Sequence, residues 1–129
     1  MTRDQLRAQH AHTCVESVDD KNWKDYKILV YGLGPNIMRS GLSATVSFIQ
    51  RNKGSAAVKL LWEHLAGAGI PNIPEKPLEI PAAIRALDVD NYMLTTRELL
   101  KCSVWFKRAV QAYSSERDKS ATGAEEGES

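Results

Sequence analysis

Three residues near the start of the chain, His10, His12 and Cys14, are of the types that bind zinc, and their spacing is the first thing to test. On a helix, at about 100° per residue, His10 and Cys14 share a face while His12 points nearly opposite. A zinc site would need ligands from elsewhere, and the only other histidine is His64. It lies in "WEHL", which is not the H-E-x-x-H pair of a zinc hydrolase. No metal site is therefore expected, and His10 and His12 read as solvated helix residues. Cys14 and Cys102 are too few for a disulfide framework. They fit a reducing cytoplasm and read as small buried apolar residues.

The other chemical candidates fail on spacing. "GLGPNIMRSG" has two glycines in the G-x-G register, but Ile37 stands where a dinucleotide fingerprint needs a third. No strand precedes it, and no G-K-[ST] ending of a phosphate loop is present. The serines lie in no G-x-S-x-G elbow, and neither cysteine has a histidine in a distinctive nucleophile setting. Asp19 and Asp20 sit at a helix end, where capping explains them. The expectation is a chain with no catalytic residue and no cofactor.

Charge is more informative. From Glu116 onward the chain has two basic and five acidic residues, net −3, while the remainder has fifteen basic and eleven acidic, net +4. A mildly basic body suits a polyanion partner. The basic residues concentrate on the last helix. With Arg97 at 0°, Lys101 falls at about 40°, Arg108 at about 20° and Val104 at about −20°. Opposite them lie Tyr92, Leu99, Cys102, Phe106, Val110 and Tyr113, a core face. Trp105 stands on one shoulder beside Lys101, where a base or a partner side chain would stack, and Lys107 stands on the other. Arg51, Lys53 and Lys59 gather around the turn "RNKGS" as a second basic cluster. Three readings fit the ridge: a solvated helix face, a phosphate-tracking surface or a subunit contact.

The elements that must carry these residues are all helical. A first helix opens at Thr2 and runs to about residue 19, with Leu6, Cys14, Val15 and Val18 as its apolar stripe. A second covers about 23–30. Pro35 then either kinks a continuing helix or starts a new one, and Gly41 suits a left-handed helix end. Ser43 begins another helix, with Val46, Phe48 and Ile49 apolar. Val58, Leu61, Trp62 and Leu65 mark one face of the next. Residues 67–77 form a loop, "IPAAIRAL" a short helix, and Asp88 or Asp90 caps the last helix over 91–113. No segment alternates as a half-buried strand would. The fold class is all-α, a compact bundle of five to six helices over 1–114 with a disordered acidic tail over 115–129. No run is apolar and long enough to span a membrane, and "MTRDQLRAQHAHTC" lacks the apolar centre of a secretory signal.

The run "YKILVYGLGPNIMRSGLSATVSFIQRNKGS", then "LLWEHL", then "YMLTTRELLKCSVWFKRAVQAY" resembles the small all-helical subunit of type III-B CRISPR effector complexes, the Cmr modules. In that family a helix reaches a proline, meets Gly-Leu and resumes with an aromatic near its end. Pro35, Ile37, Gly41, Leu42 and Phe48 take those places here. Thr96, Arg97, Glu98, Trp105, Lys107 and Arg108 match the family's closing helix, and Gly34 departs from it where a leucine is expected. The resemblance implies a subunit without nuclease activity of its own. Copies would stack into an inner filament beside the backbone nuclease subunit and the large subunit, with a basic face toward the guide–target RNA duplex. Such a face contacts phosphates and leaves sequence to base pairing. The competing expectation is a protein–protein interaction module that touches no nucleic acid.

Overall fold

The structure, a computed structural model, describes residues 1–52 and 55–128, with side chains through residue 115 and at 117. Helix α1, Arg3–Glu16, starts at Thr2. The Thr2 hydroxyl accepts from the Gln5 amide at 3.2 Å, and the Gln5 side chain accepts from the Thr2 amide at 2.8 Å. That reciprocal pair satisfies two amides that a helix start leaves unbonded. Helix α2 is Asp20–Ser40, α3 Leu42–Gln50 and α4 Ala56–Ala66. A single 3-10 turn at Pro77–Glu79 leads into α5, Ile80–Arg85, with proline at its start. The last helix, α6, is Val89–Glu128. The Asp88 carboxylate accepts from the Asn91 amide at 2.8 Å, so Asp88 rather than Asp90 is the cap. Six α-helices and no strand are present among the described residues.

Helix α6 packs against α1 and α2, and α2 in turn carries α3 and α4. The 3-10 turn and α5 close over α4 and α3. The core is continuous through these layers, with Val15, Tyr26, Leu61, Phe106 and Val110 wholly or almost wholly buried. At about 1.5–3 kcal/mol per large side chain removed from water, burial of this kind carries the fold. The two-faced reading of α6 holds. Leu99, Cys102, Phe106 and Val110 are buried, Tyr92 and Tyr113 pack at the core's edge, and Ala109 joins them. On α4, Val58, Leu61, Trp62 and Leu65 all face inward, and both cysteines are buried as expected.

Several local readings change. Pro35 does not start a helix but lies inside α2, which runs through it. A proline there forgoes one backbone hydrogen bond, a loss offset by the burial of Val30, Leu33 and Ile37 on the same helix. Gly41 ends α2 with φ 89° and ψ 164°, a region that side-chain-bearing residues avoid. Its amide donates to the Ile37 carbonyl at 2.8 Å, and its own carbonyl accepts from the Thr45 hydroxyl at 2.9 Å. Both backbone polar groups of Gly41 are therefore bonded at the corner between α2 and α3. Gly34, unexpected as a glycine, lies where α2 meets α6: a Cβ there would come within 3.0 Å of the Ser103 hydroxyl oxygen. Leu6 and Phe48, read as apolar helix residues, are both more than half exposed, and Ala11 takes the inward place on α1.

Helix α6 also continues past the expected boundary at residue 114. The Arg117 guanidinium donates to the Val18 carbonyl and, at 2.8 Å, to the Asp20 carboxylate. It also lies over the Trp23 ring, 4.2 Å from the centroid. Side chains at 116 and 118–129 lie outside the described residues, and most of the tail expectation falls there.

Candidate nucleic-acid interface

Arg97, Lys101 and Arg108 stand exposed on the outer face of α6, with Val104 between them, as the helical spacing requires. The ridge is not free of acids. Glu98 lies at its flank, with its side chain buried, and its carboxylate meets the Arg7 guanidinium at 2.6 Å. Arg7 is buried on α1, so this pair fastens α1 to α6. Lys101 approaches the same carboxylate at 3.8 Å and Arg3 at 3.9 Å. The hydrogen bond from Arg7 holds the Glu98 carboxyl below the usual carboxylate range, against the opposing effect of burial. One carboxylate therefore serves three cations, and the outer surface stays net positive.

The shoulders differ from expectation. Trp105 is half-buried, and the Arg108 guanidinium covers its ring at 4.8 Å from the centroid. A base approaching this shoulder meets Arg108 first, and its flat guanidinium is itself a stacking surface. Lys107 is exposed and lines a groove of about 280 Å³ between α6 and α2, together with Val104, Pro35 and Met38. Met38 is 79% exposed there, an apolar side chain without cover.

The second cluster does not converge on one groove. Arg51 is exposed at the C-terminal end of α3, in a groove beside Phe48. Lys59 is exposed on α4 and lines a different cavity, of about 370 Å³, with Trp62 and Leu78. Lys53 lies outside the described residues.

A polar cluster in the core was missed by sequence reasoning. The His10 Nε2–H donates to the His64 carbonyl at 2.8 Å, and the Tyr26 hydroxyl meets His64 Nδ1 at 2.6 Å. Cys14 Sγ sits 3.4 Å from His10 Nε2. His10 is thus a packed residue and not a solvated one, because α4 lies against it. His12 is exposed, with Tyr113 at its edge. The signal available was the i, i+4 pair His10/Cys14, but its partner comes from a helix far along the chain. Burial lowers His64 to about 4, so its ring is neutral at pH 7 and accepts from Tyr26, whose phenol burial raises. Burial also lifts Cys14 to about 11 and Cys102 to about 12, so both stay thiols at neutral pH. Among the described residues no group of three His, Cys, Asp or Glu side chains is placed to hold a metal ion. Nor is any helix among them long and apolar enough to cross a membrane.

Fold and surface together define a small all-helical protein that presents one cationic helix face. A family model described as CRISPR-associated protein (Cas_Cmr5) matches residues 3–113. The chain is 31% identical over 113 residues to the CRISPR system Cmr subunit Cmr5 of Thermus thermophilus, covering 86% of this chain and 95% of that protein. The crystal structure of a CRISPR-associated Cmr5 family protein from the same organism superimposes with a TM-score of 0.74 at 31% identity. That match covers 87% of this chain and 96% of the other. The chain belongs to the Cas_Cmr5 family of CRISPR-associated proteins.

Proposed function

We propose that this chain is a non-catalytic small subunit of a type III-B CRISPR complex, a cytoplasmic RNA-guided assembly that targets RNA in antiviral defence. In this reading copies stack into an inner filament beside the backbone nuclease subunit and the large subunit. Their basic faces line the channel that holds the guide–target duplex. The observation that carries it is the exposed row Arg97, Lys101 and Arg108 on α6, with the flanking Glu98 carboxylate buried against Arg7. A row of cations whose neighbouring acid is turned inward suits a phosphate backbone, which is recognised by charge and shape. The test is charge reversal, Lys101→Glu with Arg108→Glu, in the assembled complex. Capture of target RNA should weaken, and the slope of log K against log salt should fall by about one for each lost phosphate contact. Normal capture at every salt concentration by an intact doubly reversed complex would remove the ridge as the contact.

One observation favours a second reading, a protein–protein module without RNA contact. Met38 and Val104 expose apolar surface in the groove beside Lys107, and Arg108 already occupies the Trp105 ring. Crosslinking the assembled complex to a photoreactive target RNA separates the two, since this reading predicts no adduct on this chain.

A further inference from the structure

A groove of about 260 Å³ opens where the last turns of α2 meet the outer face of α3. Arg39 and Asn36 line it from α2, and Ala44, Phe48 and Arg51 from α3 and its end. Those α3 positions are spaced i, i+4 and i+7, the outward stripe of a helix whose inward stripe is Leu42, Val46 and Ile49. Phe48 is 55% exposed. Arg39 donates to the Asn36 side chain at 2.7 Å, and both side chains line the groove. No carboxylate is among the described lining residues.

Both arginines sit at helix C-terminal ends, where a cation is favoured by the helix dipole. That accounts for the charges but not for an open aromatic ring between them. We infer that this groove binds one unpaired nucleotide, its base stacked on Phe48 and its phosphate held by Arg39 and Arg51. A base in a duplex has both faces covered, so only an unpaired one offers a face to the ring. An acidic peptide would use the arginines and leave the ring idle. The hollow lies below the size of a typical drug-sized pocket, which suits a single flat ring with its phosphate.

The groove also has a route from the α6 ridge. Pro35 and Met38 line the hollow that contains Lys107, and Asn36 and Arg39, on the same two turns of α2, line this one. A strand leaving the ridge at Lys107 crosses the end of α2 to reach Phe48. The inference rests on the proposed function for the presence of RNA, and differs from it in assigning an unpaired nucleotide to a separate surface.

The experiment uses the full-length chain and a short oligoribonucleotide with one internal 2-aminopurine, single-stranded or annealed to its complement. Transfer of the probe from its neighbouring bases to Phe48 changes its fluorescence in the single strand. Phe48→Leu, which keeps an apolar side chain but removes the ring, should weaken single-strand binding by about 5- to 100-fold. The same substitution should leave duplex binding unchanged, and Phe48→Tyr should restore the wild-type value. Arg39→Gln should weaken single-strand binding as well, and it serves as the second variant should Phe48→Leu unfold the chain. Single-strand binding that is undetectable in the wild-type chain, or unaltered in a folded Phe48→Leu, overturns the inference; if Phe48→Leu unfolds, unaltered binding by Arg39→Gln does so. So does a glutamate-rich peptide of matched charge that displaces the strand and binds Phe48→Leu as well as wild type. The ridge variant Lys101→Glu with Arg108→Glu is measured in parallel. Its failure to affect the duplex counts against the channel reading alone, and a silent Phe48 counts against the groove alone.

Discussion

Glu98→Gln isolates the buried ion pair that joins α1 to α6. The two side chains are 4% and 5% exposed and meet at 2.6 Å, so removal of the carboxylate charge strands a guanidinium in the core. Breaking a buried pair from one side costs about 3–5 kcal/mol, and the amide oxygen, still able to accept from Arg7, places this substitution at the lower end. For a domain of this size about 3 kcal/mol lowers Tm by about 10 °C. The reverse deletion, Arg7→Met, should cost less, because Lys101 at 3.8 Å and Arg3 at 3.9 Å remain to neutralise Glu98. Replacing both, Arg7→Met with Glu98→Leu, should recover most of the loss, since no charge is then left buried. Urea titrations of wild type, Arg7→Met, Glu98→Leu and the double variant close a double-mutant cycle, with Glu98→Gln measured beside them. The pH dependence adds a second reading. A carboxyl held low in the folded state contributes stability that is fully present above its unfolded value of about 4.3. That contribution is lost as pH falls through the lowered folded value. Wild type should therefore lose this increment below the usual carboxylate range, and Glu98→Gln should not. Equal costs for both single variants, or a double variant as unstable as Glu98→Gln, would refute the account.

Gly41→Ala should destabilise by about 1–3 kcal/mol, because at φ 89° and ψ 164° a Cβ is strained whatever space surrounds it. A melting temperature unchanged from wild type would show that the corner relaxes. His64, lowered by burial to about 4, makes stability fall as pH drops from its unfolded value of about 6.5 toward 4, by about 2–3 kcal/mol in all. Urea midpoints at pH 7 and pH 4.5 should differ by that component, and His64→Asn should lose it.

Much of the fold was legible in the sequence because it is written in short-range spacing. Turning α6 by about 100° per residue separated Phe106 and Val110 from Arg97, Lys101 and Arg108, and the structure keeps them apart. Thr2 and Gly41 before Leu42 are signals only a residue or two long, and both mark helix ends where expected. Pro35 was ambiguous, since local sterics permit a kink or a start and tertiary packing of α2 decided the matter. The contacts that were not legible are long-range. Arg7 reads as one more polar residue on a polar helix until Glu98 arrives from α6, and His10 looks solvated until α4 lays the His64 carbonyl against it. Phe48 shows the reverse limit: an aromatic at a helical position reads as core, and only the lie of α3 exposes it.

Helix α6 is held along its length by groups from other elements. The Tyr92 hydroxyl accepts from the Ser43 amide at 2.9 Å near one end, Glu98 is gripped by Arg7, and Arg117 reaches back to Val18 and Asp20. Fastening at three stations opposes bending or sliding of the helix. Arg97 and Arg108 are then separated by about 16 Å along the axis, from a rise of about 1.5 Å per residue, and that interval is fixed before any contact is made. The entropy of ordering these backbone positions has been spent in folding, so association need restrict only the side-chain tips. Such a rail works as a ruler: it favours a partner whose charges already repeat at its own interval over one that must deform to match.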